Sequence, residues 1–276
     1  MSSRKAGTAR SRARPSGVGP MKILIANDKG GVGKSTIAQY FIVRLRRAVG
    51  EVRIVEWDFQ PKLHRFFGKD AVQTFGLQIP TTTDEHLGEV LEHFDPIVKW
   101  LKVTKPCVID FGAQGWHQFA FWAELTGLKD LVKPATLTIV SPLTADIESL
   151  DGVNYVVETA QDVLPGARIL VPVVLKDGDV ACFKGLPAYQ RLIEHEKAGT
   201  IRFARVPRLP SEGYSALASR GLTFDAIEAA DPKTIVAQVP LSPMAATRAL
   251  KGVGEWLEAM DGQFPEIAGT ANEAVA

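Results

Sequence analysis

One ten-residue string constrains this chain more than any other feature: Asn27-Asp28-Lys29-Gly30-Gly31-Val32-Gly33-Lys34-Ser35-Thr36. It stands between a short apolar strand at 22–26 and a helix over Thr36 to Val49, which has Ile37, Phe41 and Leu45 on one face and Gly50 as its stop. In that setting glycines let the backbone approach a ligand, the amides point inward and the helix end adds positive potential, which together make a cradle for polyphosphate. Lys34 would reach the terminal phosphates as a point charge, and the Ser35 hydroxyl would take one position around Mg2+.

The rest of the chain keeps the same alternation. Apolar strands are expected at Val52 to Trp57, Pro106 to Phe111, Ala135 to Ser141, Ala167 to Leu175 and Thr200 to Val206. Between them lie helical stretches from about Asp84 to Lys102, after Phe111 in an aromatic-rich run, from Ala145 to Gln161 and near Pro187 to Lys197, and a helix-prone region runs on through about Glu258. Strands without polar alternation suit a parallel sheet covered on both faces. The expectation is one α/β domain over 21–260, a doubly wound, mostly parallel sheet with helices on both faces.

Composition excludes other classes. With 46% hydrophobic and 23% charged residues, the chain is neither wholly disordered nor fibrous. No apolar run reaches the roughly 18–20 residues of a membrane-spanning helix. Residues 1–20 carry Arg4, Lys5, Arg10, Arg12 and Arg14 with no acid, inside a net charge of +1, and read as a disordered basic tail suited to nucleic acid or an anionic membrane, or else simply as a solubilising extension. Residues 261–276 read as a mobile C-terminal tail. Cys107 and Cys182 form no CxxC pair and read as two buried, reduced thiols, which with no apolar signal region points to the cytoplasm. The histidines at 64, 86, 93, 117 and 195 show neither triad nor metal spacing.

Asp28 occupies the place where the pattern G-x-x-x-x-G-K-[ST] has its first glycine, and a second lysine, Lys29, precedes the glycine pair. The string resembles the deviant Walker A motif, KGGxGK[ST], of the ParA/MinD family of ATPases, and Asn27 resembles the ParA side of that family. Glu56-Trp57-Asp58-Phe59-Gln60-Pro61 resembles the family's D-x-D-P-Q segment, and Val108-Ile109-Asp110-Phe111-Gly112 its Walker B strand. Ser141-Pro142 through Leu150-Asp151-Gly152 resembles the stretch after the next strand. Arg205-Val206-Pro207 and Ser219-Arg220-Gly221 fall where the family has its last strand and a following helix end. The resemblance spans 21–260 and is most specific at the first loop.

The resemblance implies a SIMIBI-type P-loop NTPase that binds ATP and Mg2+ and forms a homodimer with ATP between the subunits. It assigns Gly30, Gly31, Val32, Gly33, Lys34, Ser35 and Thr36 to the nucleotide. Lys29 would cross to the partner's phosphates, where a second cation stabilises phosphoryl transfer as an arginine finger does. Asp58 would position the attacking water, and Ser35, Asp58 and Asp110 form the implied Mg2+ set, Asp110 acting through a water molecule. ATP-bound dimers would hold DNA or protein cargo such as a plasmid or chromosome region, and a partner protein would stimulate slow hydrolysis. For non-specific DNA contacts the candidates are Arg44, Arg46, Arg47, Arg202, Arg205 and Arg208, each of which reads equally as part of a solvated face.

The sequence also departs from the family. Glu56 stands where Asp is usual, Phe59 stands where Pro is usual, and Lys176-Asp177-Gly178-Asp179 replaces an Asn-containing segment that helps recognise the base. An accessory factor of plasmid conjugation or mobilisation, recruiting by nucleotide state with little hydrolysis, therefore stands as the alternative. Iron–sulfur or small-molecule chemistry on the same fold lacks its cysteines, and the acidic C-terminus does not read as a membrane-targeting helix. In the aromatic run, Phe119 and Trp122 read as core, while Trp116 is a candidate for a dimer or partner surface.

Overall fold

The computed structural model describes residues 21–76 and 87–268. Seven strands form one parallel sheet: β1 (Lys22–Ile25), β2 (Arg53–Trp57), β3 (Val72–Phe75), β4 (Cys107–Phe111), β5 (Leu137–Val140), β6 (Arg168–Val174) and β7 (Ile201–Val206). Their order is β3-β2-β4-β1-β5-β6-β7, and every neighbouring pair is parallel. The doubly wound reading holds, with β1 at the centre. The expected strands all form, and β3 is an addition. Only Val72 of its four residues is buried, so this edge strand has no apolar run to announce it.

The helices are α1 (Lys34–Val49), α2 (His64–Phe67), α3 (Leu87–Lys102), α4 (Gly115–Leu125), α5 (Leu128–Leu131), α6 (Ile147–Val163) and α7 (Pro187–Lys197). A helical C-terminal region follows: α8 (Ser211–Ser219), α9 (Phe224–Ala229), α10 (Pro232–Gln238), α11 (Pro243–Gln263) and α12 (Pro265–Ala268). Alternate residues of the central strands feed two separate cores. Leu24, Val55, Trp57, Ile109 and Phe111 pack under α3, α4, α6 and α7, whereas Ile23, Ile25, Ile54, Val108 and Val140 pack under α1 and α9–α12. Burial on both faces is the reason these strands read as unbroken apolar runs.

Several expectations change. Residues 261–268 are part of the packed body: α11 runs to Gln263, and Phe264 and Ile267 are buried against the α1 face, so no tail begins at 261. Phe264 packs edge-on against Phe41, which explains why a short acidic, small-residue stretch stays docked. Residues 1–20, 77–86 and 269–276, including the basic tail and the expected start of α3 near Asp84, lie outside the described residues. Cys107 is buried, but Cys182 is exposed. It sits in a single 3-10 turn, Val180–Phe183, whose Val180 and Phe183 turn inward and leave Cys182 on the outer side. Among the described residues no helix is long and apolar enough to cross a membrane.

Candidate functional site

The C-terminal ends of β1, β2, β4 and β5 carry the loops that open α/β sheets use for ligands. After β1, Gly31 and Gly33 take φ values of 76° and 97°, a left-handed region that side-chain-bearing residues avoid, and Gly33 leads directly into α1. Asn27 pins this loop in place. Fully buried, it donates from Nδ2 to the carbonyls of Pro142 (2.8 Å) and Ser149 (3.2 Å) and accepts the Lys29 N–H at 2.8 Å. Gly152 of α6 makes room for it: a Cβ there would lie 2.4 Å from Asn27 Oδ1.

Lys34 is buried, and its ammonium donates to the loop's own carbonyls at Asn27 (2.6 Å) and Lys29 (2.9 Å). Burial lowers its pKa, while Asp110, Asp58 and Asp28 oppose the shift. Three carboxylates thus face one cation at the mouth of the loop.

Asp110 lies on β4, fully enclosed, with the Ser35 hydroxyl against its carboxylate. Burial pushes its pKa up to about 7; Ser35 and Lys34 pull it down, and Glu56 and Asp58 push it further up. Its Oδ1 is buried without a hydrogen-bond partner. An orphaned, desolvated carboxylate oxygen beside a hydroxyl is the donor set that suits a hard divalent cation, so Ser35 and Asp110 fit Mg2+.

Asp58 follows β2 and accepts the Gln60 N–H at 3.0 Å. Gly112, just beyond β4, allows its approach, since a Cβ at 112 would lie 2.6 Å from Asp58 Cγ. Glu56 is fully buried and accepts the backbone N–H groups of Lys62 and Leu63, the latter at 2.9 Å. It shapes the Asp58 loop from beneath, and burial raises its pKa. The longer side chain reaches a turn of backbone, a role invisible in the string itself.

Lys29 lies at the open edge of the site, paired with Glu148 and, at 3.5 Å, with Asp146. Asp146 also caps α6 by accepting the Glu148 N–H. The loop lysine is therefore held by acids at the start of a helix of its own chain.

The structure brings together Lys29, Lys34, Ser35, Asp58 and Asp110 around the loop. It does not do the same for every residue singled out in the sequence. Trp116 is fully buried and donates from Nε1 to Thr159 at 2.8 Å, so it is core with Phe119 and Trp122 and not a partner surface. Its helix turns toward α6, and Phe121 and Leu125 are the exposed apolar residues instead. Arg44 is buried in a network with Glu228 and Asp261 and is closed to a nucleic acid. Arg47 shares Glu228, Arg46 lies over the Phe67 ring, Arg202 pairs with Glu266 and Arg205 with Asp179, while Arg208 is exposed. Asn27, Glu56 and Gly152 are the site residues whose roles sequence reasoning missed; the signal for Asn27 was its place at the end of an apolar strand.

Residues 21–95 match the family model of the ATPase MipZ. The match covers β1 through the middle of α3, less than half of the 276 residues. No curated protein matches the sequence. Among solved structures, the chain is similar to the MinD cell division protein of Aquifex aeolicus, with 11% identity over 84% of this chain and 97% of that one and a TM-score of 0.46. A putative plasmid partition protein of Borrelia burgdorferi B31 bound to AMPPNP gives 14% identity over 87% and 99%, with a TM-score of 0.46. The McdA–ATP complex of Cyanothece gives 14% over 88% and 97%, with a TM-score of 0.44.

Proposed function

We propose that this chain is a cytoplasmic ATPase of the ParA type that binds ATP with Mg2+ in the 27–36 loop, dimerises around the nucleotide and hydrolyses it slowly, as a switch for partition or positioning of DNA or protein cargo. The observation that carries the reading is the convergence of Lys34, Asp58 and Asp110 on a loop held open by Gly31 and Gly33. The MipZ match across this loop and the Asp58 segment supports it.

Each residue has a part that follows from its chemistry. Lys34, released from the Asn27 and Lys29 carbonyls, exchanges two neutral acceptors for phosphate oxygens. Ser35 and Asp110, with Asp58 beside them, would hold Mg2+, which would supply charge neutralisation on the phosphate oxygens. Asp58, kept close by Gly112, orients the attacking water. Lys29 leaves Glu148 and Asp146 to reach the partner subunit's phosphates, so its present ion pairs describe a resting arrangement. A stimulating partner protein and non-specific DNA complete the switch.

A recruitment factor with little turnover is the second reading. The observation that favours it is Phe59, 61% exposed directly beside Asp58, where the hydrolytic segment departs from the family pattern. Light scattering with ADP, ATP and a slowly hydrolysed analogue, followed by turnover with and without duplex DNA, separates the two. ATP-dependent dimers that weaken in Lys29→Ala and vanish in Lys34→Ala, with DNA-stimulated turnover, are expected. Tight binding with negligible turnover would favour recruitment, and a monomer with every nucleotide would refute the sandwich dimer.

A further inference from the structure

Asp28 is the loop residue that the nucleotide reading leaves without a task. It is half-buried, and its Oδ1 is buried with no hydrogen-bond partner. Asp28 lines one cleft with His117 of α4 and Tyr155 of α6, and the groups facing its carboxylate come from three helices. The Gln114 backbone N–H and the His117 ring approach from the start of α4, the Lys34 ammonium from α1, and Tyr155 of α6 lies within reach of its charge. His117 in turn stacks on Tyr155, with ring centroids 4.8 Å apart.

The start of α4 is unusual in its own right. Gln114, immediately before it, has φ 64°, and among the described residues it is the one non-glycine with positive φ. Its side chain makes no capping hydrogen bond. An eleven-residue helix thus begins on a strained residue without a cap of its own, and a carboxylate from a distant loop faces its positive end. Only Phe111, Gly112, Ala113 and Gln114 separate Asp110 from this helix. With α6, α4 walls a groove of about 500 Å³ lined by His117, Phe121, Glu124, Tyr155, Thr159 and Asp162.

We propose that Asp28 is a positioning residue: its carboxylate holds the start of α4 against the phosphate loop, and negative charge entering the loop weakens that hold and reshapes the groove between α4 and α6. A polyphosphate would draw Lys34 away from Asp28 and set like charge beside an oxygen that has no donor, so repulsion would drive the carboxylate away from the Gln114 N–H. Withdrawal removes both the acceptor and the charge from the α4 terminus. The inference rests on the nucleotide reading only for what enters the loop.

Hydrogen exchange of the full-length chain, followed over residues 112–119, tests it with wild type, Asp28→Ala and Asp28→Asn. Without ligand, Asp28→Ala should exchange about fivefold or more faster in this segment, whereas Asp28→Asn, which retains an acceptor oxygen, should stay within roughly twofold of wild type. AMPPNP with Mg2+, or inorganic tripolyphosphate as a nucleotide-free anion, should accelerate exchange there in wild type. Both variants should lose that response while still binding the anion by calorimetry, because neither carries the charge. Unchanged ligand-free exchange in Asp28→Ala, or a wild-type-sized anion response in Asp28→Asn, would overturn the proposal. If Asp28→Ala does not fold, the Asn variant decides alone. Failure of the wild type to bind AMPPNP while tripolyphosphate binds and loosens α4 would sink the ATPase reading and leave this one standing.

Discussion

Replacing Asp110 by Asn removes a charge that the nucleotide-free fold holds at a penalty, and the size of that penalty follows from burial. The carboxyl titrates near pH 7 in the folded chain, against about 3.9 in an unfolded one. Between those values the native protein binds more protons than the unfolded chain. The contribution of Asp110 to stability therefore falls as pH rises from about 4 to 7, and is lowest above 7. Linkage gives a penalty of about 1.5 kcal/mol at pH 5 and about 4 kcal/mol at pH 8, so the two conditions differ by roughly 2.5 kcal/mol. Urea unfolding of wild type and Asp110→Asn in EDTA, at half-unit steps from pH 5 to 8, reads this directly. The variant has no such titration, and its stability relative to wild type should rise by about 2–3 kcal/mol across the range. Lost contact with Ser35 and Lys34 shifts the whole curve but not its slope. Adding Mg2+ and ATP should stabilise wild type and fail to stabilise Asp110→Asn. Parallel pH profiles for the two proteins would refute the reasoning, because they would mean that the carboxylate is not desolvated in the fold.

Four further outcomes follow. Gly112→Ala should push Asp58 aside, since the new Cβ would lie 2.6 Å from its Cγ and 3.0 Å from its Cα, so single-turnover hydrolysis should fall at least tenfold while ATP affinity changes less than threefold; equal losses in both would count against a role confined to turnover. Gly152→Ala should instead displace Asn27, whose Oδ1 would be 2.4 Å away, and weaken ATP binding by roughly tenfold or more in calorimetry. Arg44→Ala leaves Glu228 and Asp261 without their shared guanidinium and should cost about 3 kcal/mol in urea unfolding, with DNA binding per folded molecule unchanged. Glu148→Gln should free Lys29 from its strongest partner and tighten ATP-dependent dimerisation about two- to fivefold by sedimentation, an effect that high salt should erase.

The sequence made the phosphate loop legible because everything the loop needs lies within a few residues. Gly31 and Gly33 set the left-handed torsions, Ile23 to Ile25 form the buried strand before it, and α1 starts where Lys34 follows Gly33. Asp58 and Asp110 are singled out only by the resemblance of their segments to a known family, and the structure places each at the end of an apolar strand. Local logic failed where a side chain's surroundings come from elsewhere in the chain. Arg44 looked like one of several surface cations on a helix, but α11 brings Asp261 to it from 217 residues away. Trp116 looked free at the start of an aromatic helix until α6 supplied Thr159. The residues from 261 onward looked too small and acidic to dock, yet Phe264 and Ile267 reach the core.

What the sequence by itself determined is the succession of the six apolar strands and the helices between them, the parallel α/β class and the glycine-rich loop between β1 and α1. Torsional preferences and apolar periodicity act over spans of a few residues, and a reader of the sequence sees them whole. Tertiary structure alone decided which carboxylates share Lys34, that Asn27 is clamped by carbonyls 115 and 122 residues on, that Glu56 shapes the Asp58 loop, and that Lys29 rests on α6. Burial, and with it the protonation of Asp110 and the hold of Asp28 on α4, is set by how distant segments exclude water from one another, and no short stretch of chain contains that information.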